Sequence, residues 1–228
     1  MITNKDVKHL IRSSMNLDDN KQINESLVAQ AKIFDLPTEF LGKANKLNHK
    51  ELYEGYIESF NNVSAQLDTV DRSASNSNHS VYRSLKNDET YNMNALYLHE
   101  LYFANISDLQ SQISMDSLTY MKLSRDFGDF DAWQTDFIAS CAASRCGWAI
   151  TYYNMFTQTY MNAVIDLHSI NMPIGCYPVI VMDVWQHAYY KDYLKDVKTY
   201  SSTMMKELNW RVIDDRIKKA EKISQVIR

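Results

Sequence analysis

The chain is poor in the features that would send a protein outside the cell or into a bilayer. Its 228 residues include only three cysteines, Cys141, Cys146 and Cys176. An odd count without zinc-type spacing points to reduced thiols rather than a disulfide framework, hence to a cytoplasmic setting. No uninterrupted apolar run approaches the ~20 residues that a membrane-spanning helix needs. Residues 1–10 are charged and have no apolar centre, so no secretory signal is expected. Lys and Arg number 24 against 28 Asp and Glu, a net charge of −4 that offers no broad basic footprint for nucleic acid. Internal repeats and low-complexity tracts are missing too. What the chain does have is apolar content, 45% with 12% aromatic, ample for a sizeable core.

Apolar spacing divides the chain into three parts, 1–32, 33–110 and 111–228. Residues 1–32 read as a helical extension. One stripe holds Val7, Leu10, Ile11 and Met15, and a second holds Leu27, Val28 and Ala31, with polar residues 16–22 between them. Helices this short are marginal alone, so the extension must pack on the body, on another subunit or on a partner protein that it docks. Pro37 marks irregular chain. In 45–67, Leu52, Tyr53, Tyr56, Ile57, Phe60, Val63 and Leu67 recur at helical spacing. Residues 68–90 read as a polar loop and 92–106 as a second helix, which together make an antiparallel helical hairpin.

The last part mixes elements. Phe130, Trp133, Phe137 and Cys141 form a helical stripe that Gly147 is placed to end. Strands are expected over 148–153, 161–168 and 178–182, the first two joined by a hairpin through 154–159. From Asn209, an amphipathic helix carries Val212, Ile213, Ile217, Ala220 and Ile223. The expected fold class is α+β: an N-terminal antiparallel helical hairpin plus a C-terminal lobe with a small three-stranded antiparallel sheet flanked by helices.

Chemistry concentrates where the apolar run 178–182 ends, at Asp183 and His187. A helix starting near Asp183 would put both side chains on one face, because residues four apart stack there. A carboxylate and an imidazole converging at the edge of a buried strand suit a transition metal.

The run Asp183-Val-Trp-Gln-His-Ala-Tyr-Tyr190 resembles the signature of iron/manganese superoxide dismutases. Three further stretches match that family in order: Leu98-His-Glu-Leu-Tyr-Phe-Ala-Asn105; Phe127-Gly-Asp-Phe-Asp-Ala-Trp133 leading to Gly147-Trp-Ala149; and Leu208-Asn-Trp-Arg-Val-Ile213. The resemblance covers about residues 33 to 227. It implies one Fe or Mn ion per chain, held by His49, His99, Asp183 and His187, and turnover of superoxide to oxygen and hydrogen peroxide. It also implies a proton route through Tyr56 and His168, an aromatic shell with Trp148 and Trp185, and a homodimer or larger assembly with Gln186 and Tyr190 in its contact.

Three positions depart from the family pattern. His49 precedes Tyr56 by seven residues where eight is common. Either the helix is regular and both face the metal, or His49 points to solvent and the site lacks a ligand. Gln186 stands where the family usually has Glu, and Val197 where an Arg lines the substrate funnel, with Lys195 or Lys198 as substitute cations. These departures keep open an alternative, a structural or assembly protein such as a virion component that retains the fold without turnover. His9 and His79 are expected in solvent. A zinc hydrolase is disfavoured, since no carboxylate is placed as general base beside a histidine set.

Overall fold

A computed structural model describes residues 28–106 and 113–227. Residues 1–27, with the first stripe of the extension, its docking role and His9, lie outside the described residues. The second stripe is not helical where it is described. Residues 28–38 have no regular structure and Val28 is exposed. Phe34 packs on Tyr53 and Phe103 and Leu36 is buried in the core, and hydrogen bonds hold the strip as well. Ala29 bonds the Asn61 side chain through both its backbone groups, and the Lys32 amide donates to the Tyr53 hydroxyl.

Two long helices follow, α1 (Lys43–Thr69) and α2 (Val81–Asn105). On α1, His49, Tyr53, Ile57, Phe60, Val63 and Leu67 are buried at spacings of three or four, the stripe an amphipathic helix needs. Leu67 clusters with Leu85 at one end while His49 meets His99 at the other, so the helices run antiparallel. The polar loop is shorter than the sequence suggests. Residues 81–90 are helical although only Leu85 among them is deeply buried, because this end of the hairpin projects beyond the core. A cap marks the start instead: the Ser80 side chain accepts from the Arg83 amide.

The second part opens with α3 (Leu118–Phe127), which periodicity did not reveal because only Thr119 and Leu123 are buried on it. Gly128, at φ +95°, ends α3, and Asp129 caps α4 (Phe130–Ala143) by accepting from the Ala132 amide. The Phe127–Trp133 stretch is thus a helix–helix junction. The chain then enters a three-stranded antiparallel sheet in the order β2-β1-β3, formed by β1 (Gly147–Asn154), β2 (Thr159–Asp166) and β3 (Cys176–Asp183). Gly147 does not end α4, which stops at Ala143. It opens β1, where a Cβ would lie 1.9 Å from the Ile165 carbonyl oxygen, so close strand pairing demands glycine.

β3 is an edge strand, and a bulge beside Thr151 and Tyr152 accommodates Pro178. Three helices complete the lobe: α5 (Gln186–Tyr193), α6 (Val197–Met204), which was not anticipated, and α7 (Trp210–Ile227). Ile213, Ile217 and Ala220 bury the face of α7, whereas Val212 is half-buried and Ile223 exposed at its margins. Arg216, on the same buried face, donates to the carbonyls of Val179 and Leu101 and to Asn105, whose amide donates to Val181. The carbonyls of the β3 edge are therefore satisfied by side chains. Among the described residues, no helix is long and apolar enough to cross a membrane. The architecture is α+β, helical hairpin first and flanked sheet second.

Candidate metal centre

Four elements meet at one point. His49 from α1, His99 from α2, Asp183 at the end of β3 and His187 from α5 each bring one donor atom, all within 4.8 Å of one another. His49, His99 and Asp183 are fully buried, and the His187 side chain is 22% exposed. α1 is an unbroken α-helix through His49 and Tyr56, so the shorter spacing belongs to a regular helix with both residues facing inward. His49 does not point to solvent.

Asp183 and His187 converge, but not as the sequence suggested. Asp183 is the last strand residue and α5 starts only at Gln186, so no shared helical face aligns the pair. A tight turn does it instead. Oδ1 of Asp183 accepts from the Trp185 amide at 2.8 Å, which aims Oδ2 at the histidines. The Asp183 carbonyl is fixed in turn by the Tyr200 hydroxyl, itself 2.9 Å from the Tyr102 hydroxyl.

Three imidazole Nε2 atoms surround Asp183 Oδ2, at 3.0 Å (His49), 3.3 Å (His187) and 3.6 Å (His99). His99 Nδ1 lies 2.7 Å from the Ala95 carbonyl, which can only accept, so Nδ1 carries the proton. Burial, helped by His49, pushes the His99 pKa down to about 3, so its Nε2 is an unprotonated lone pair. Burial also lowers His49 against the pull of Asp183. For Asp183, burial works upward, but the His187 and His49 imidazoles outweigh it and hold the carboxyl below the usual range. A lone pair on His99 therefore faces a carboxylate oxygen with no proton between them. Two buried acceptors repel unless a cation lies between, and neutral imidazoles beside a carboxylate are the forms that bind a transition metal. The donor set fits such an ion.

Residues 116–216 match the family model for iron/manganese superoxide dismutases, C-terminal domain. Over 179 residues the chain is 34% identical to the iron superoxide dismutase of Aquifex aeolicus, covering 77% of this chain and 83% of that protein. The chain belongs to the iron/manganese superoxide dismutase family. Manganese superoxide dismutase 1 of Halobacterium salinarum is 25% identical over 76% of this chain and 84% of its own length. An iron superoxide dismutase of Cupriavidus metallidurans is 26% identical over 77% and 88%.

Around these four residues stands an aromatic wall. The Trp148 ring lies 5.0 Å from His99, and Trp185 stacks on His168 at 5.0 Å and on His187 at 5.9 Å. Register explains Trp148: it pairs directly with Asp183 across β1 and β3, so both side chains leave the same face. His168 lies beyond β2, which ends at Asp166. Leu167 adopts φ +55°, and the turn sends the imidazole back under the wall. Its Nδ1 accepts from Trp148 Nε1 and its Nε2 meets the Tyr56 hydroxyl, both at 3.0 Å. Burial pushes the His168 pKa down to about 4, so the ring is neutral near pH 7.

A cavity of about 580 Å³ opens beside His187, bounded by Glu51, Leu52, Gly55, Tyr56 and Lys191 among others. Lys191 is the cation lining it; Lys195 and Lys198 do not, and Val197 is the half-buried first residue of α6. Two residues of the site escaped the sequence reading. Lys191 stands four after His187 on α5, a spacing that could have revealed it. Tyr91, 4.7 Å from the His168 ring, lies two turns before His99 on a flanking face of α2, where spacing carries little signal. His79 is exposed, as expected.

Proposed function

We propose that this chain dismutates superoxide, two molecules with two protons giving oxygen and hydrogen peroxide, at one iron or manganese ion held by His49, His99, Asp183 and His187. The observation that supports it best is the unprotonated Nε2 of His99 facing the buried carboxylate of Asp183. One-electron exchange with successive superoxides is what the bound ion supplies.

The chain's own groups do the rest. Trp148 and Trp185 keep bulk water off the buried donors, which preserves their neutral and ionised forms. Tyr56 reaches both the cavity and His168, so protons arrive through the pair rather than through bulk solvent. Burial holds the Tyr56 hydroxyl well above its ordinary pKa, so it enters each turnover protonated. At the mouth, Lys191 favours entry of a small anion.

Metal analysis of the purified protein together with superoxide consumption tests this directly. Expected are about one iron or manganese per chain and consumption that disappears in Asp183→Ala and His99→Ala. A protein fully loaded with iron or manganese that consumes no superoxide would overturn it.

The division at residues 32 and 110 is part of the same proposal, as is a homodimer whose contact includes Gln186 and Tyr190. Both residues are exposed on α5, next to the only part-open ligand of the four. Sedimentation of a dilute monomer with full metal occupancy would count against the dimer. No observation among the described residues favours the assembly alternative.

A further inference from the structure

α5 brings His187 to the site, yet apolar burial does little to hold it there. Ala188 is the only buried residue of this 8-residue helix. Polar bonds to α1 fasten it instead. Asn45 is 1% exposed and lies one turn before His49 on α1, so both side chains leave the same face. Its Nδ2 donates to the Ala188 carbonyl at 3.0 Å and to Asp192 Oδ2 at 2.9 Å. Two acceptors on that side settle which end of the amide is nitrogen. Asp192 Oδ2 also accepts from the Gly42 amide at 2.9 Å, and Gly42, the N-cap of α1, has no side chain to cap that helix itself. The helix dipole favours a carboxylate there. A Cβ on Gly42 would lie 2.6 Å from Asp192 Oδ1 and push the carboxylate away, so glycine lets it close. His49 and His187, with ring centroids 5.1 Å apart, stand beside this clamp.

We propose that Asn45 is a positioning residue of the metal centre: with Asp192 it locks α5 to α1 and so sets the separation of His187 from His49. Its importance for turnover rests on the dismutase proposal above, whereas the clamp and its effect on metal binding do not. Asn45 is not among the residues bounding the cavity beside His187, so it acts through the backbone of Ala188, next to that ligand. The far end of α5 is tied separately, by the Tyr193 hydroxyl donating to the Phe40 carbonyl at 2.7 Å. Losing Asn45 therefore loosens α5 without releasing it.

The test is calorimetric titration of the metal-free full chain with manganous ion, well below the melting temperature. Asn45→Ala should weaken binding roughly tenfold, the low end for losing a group that orients a ligand. Asn45→Asp should weaken it further, because a carboxylate then faces the Ala188 carbonyl and Asp192. Adding Asp192→Asn to that variant puts a donor opposite an acceptor again and should recover part of the loss. A merely structural clamp would lower the melting temperature and leave the affinity unchanged; that result overturns the inference, as does a double variant that binds no tighter than Asn45→Asp alone. Should Asn45→Ala fold poorly by thermal melt, Gly42→Ala decides, since it displaces the Asp192 carboxylate and leaves Asn45 in place: an unweakened affinity is fatal. Failure of the unsubstituted chain to take up manganous ion also overturns the inference. If the affinities move as expected while the loaded, unsubstituted protein consumes no superoxide, the dismutase proposal fails and the clamp stands.

Discussion

Metal binding to this site should release few protons. An ordinary imidazole, with pKa about 6.5, is about 0.8 protonated at about pH 6, so a site of three ordinary histidines would shed roughly 2.3 protons on taking up a cation. Here burial has already removed the proton from His99, whose pKa is pushed down to about 3, and it lowers His49 as well. Asp183 is held ionised by its imidazole neighbours. His99 then has no proton to give and His49 has less than an ordinary imidazole, which keeps the release well below that figure. Titration calorimetry of the metal-free chain with manganous ion, at about pH 6 in two buffers of different ionisation enthalpy, reads this number directly. A release of two or more protons would refute the preorganised neutral site. The same depression has a consequence in acid. A histidine whose folded pKa lies below its unfolded value leaves the unfolded chain binding more protons. Stability of the metal-free protein is therefore lost as pH falls below about 6.5 toward the folded value, by up to about 1.4 kcal/mol per pH unit for His99. Denaturant titrations between neutral and acid pH should show that slope, and a flat profile would contradict it.

Gly147→Ala forces a methyl onto the Ile165 carbonyl and must part β1 from β2, beside the bond that joins Val184 to Gly147. A loss of about 3 kcal/mol, or roughly 6–12 °C in Tm, is expected by calorimetry, and an unchanged melt would show that the strands can separate freely. Arg216→Met strands the carbonyls of Val179 and Leu101 and the Asn105 amide oxygen without donors. Urea denaturation should register a loss of about 3 kcal/mol, and less than about 0.5 would mean that relief from burying the guanidinium offsets it. Trp148→Phe removes the donor that sets the His168 tautomer. Nitrogen-15 spectra should show the two ring nitrogens moving from well-separated toward averaged shifts, with about 2 kcal/mol of stability lost; a fixed tautomer would assign its control elsewhere.

The amino-acid order alone determined the elements whose stripes are long and fully apolar on one side. The α1 face through Tyr53, Ile57 and Phe60, the buried strand ending at Asp183 and the hairpin of β1 and β2 were legible because burial imposes a period on sequence. Runs of letters likewise singled out His99, Asp183 and His187 as candidates, whereas His49 stood open between an inward and a solvent-facing position. Elements with little to bury left no such imprint: residues 81–90 of α2, all of α3, and α6. Only the tertiary structure decided how the donors converge, because they come from four elements and the tight turn at Trp185, not a shared helix face, aims Asp183. It alone decided the protonation states, since burial and neighbouring charge set them and neither is written in local sequence. And it alone joined Trp148, His168 and Tyr56, three polar groups whose partnership depends on strand register and a left-handed residue at Leu167. Spacing along one chain carries no trace of contacts made between distant elements.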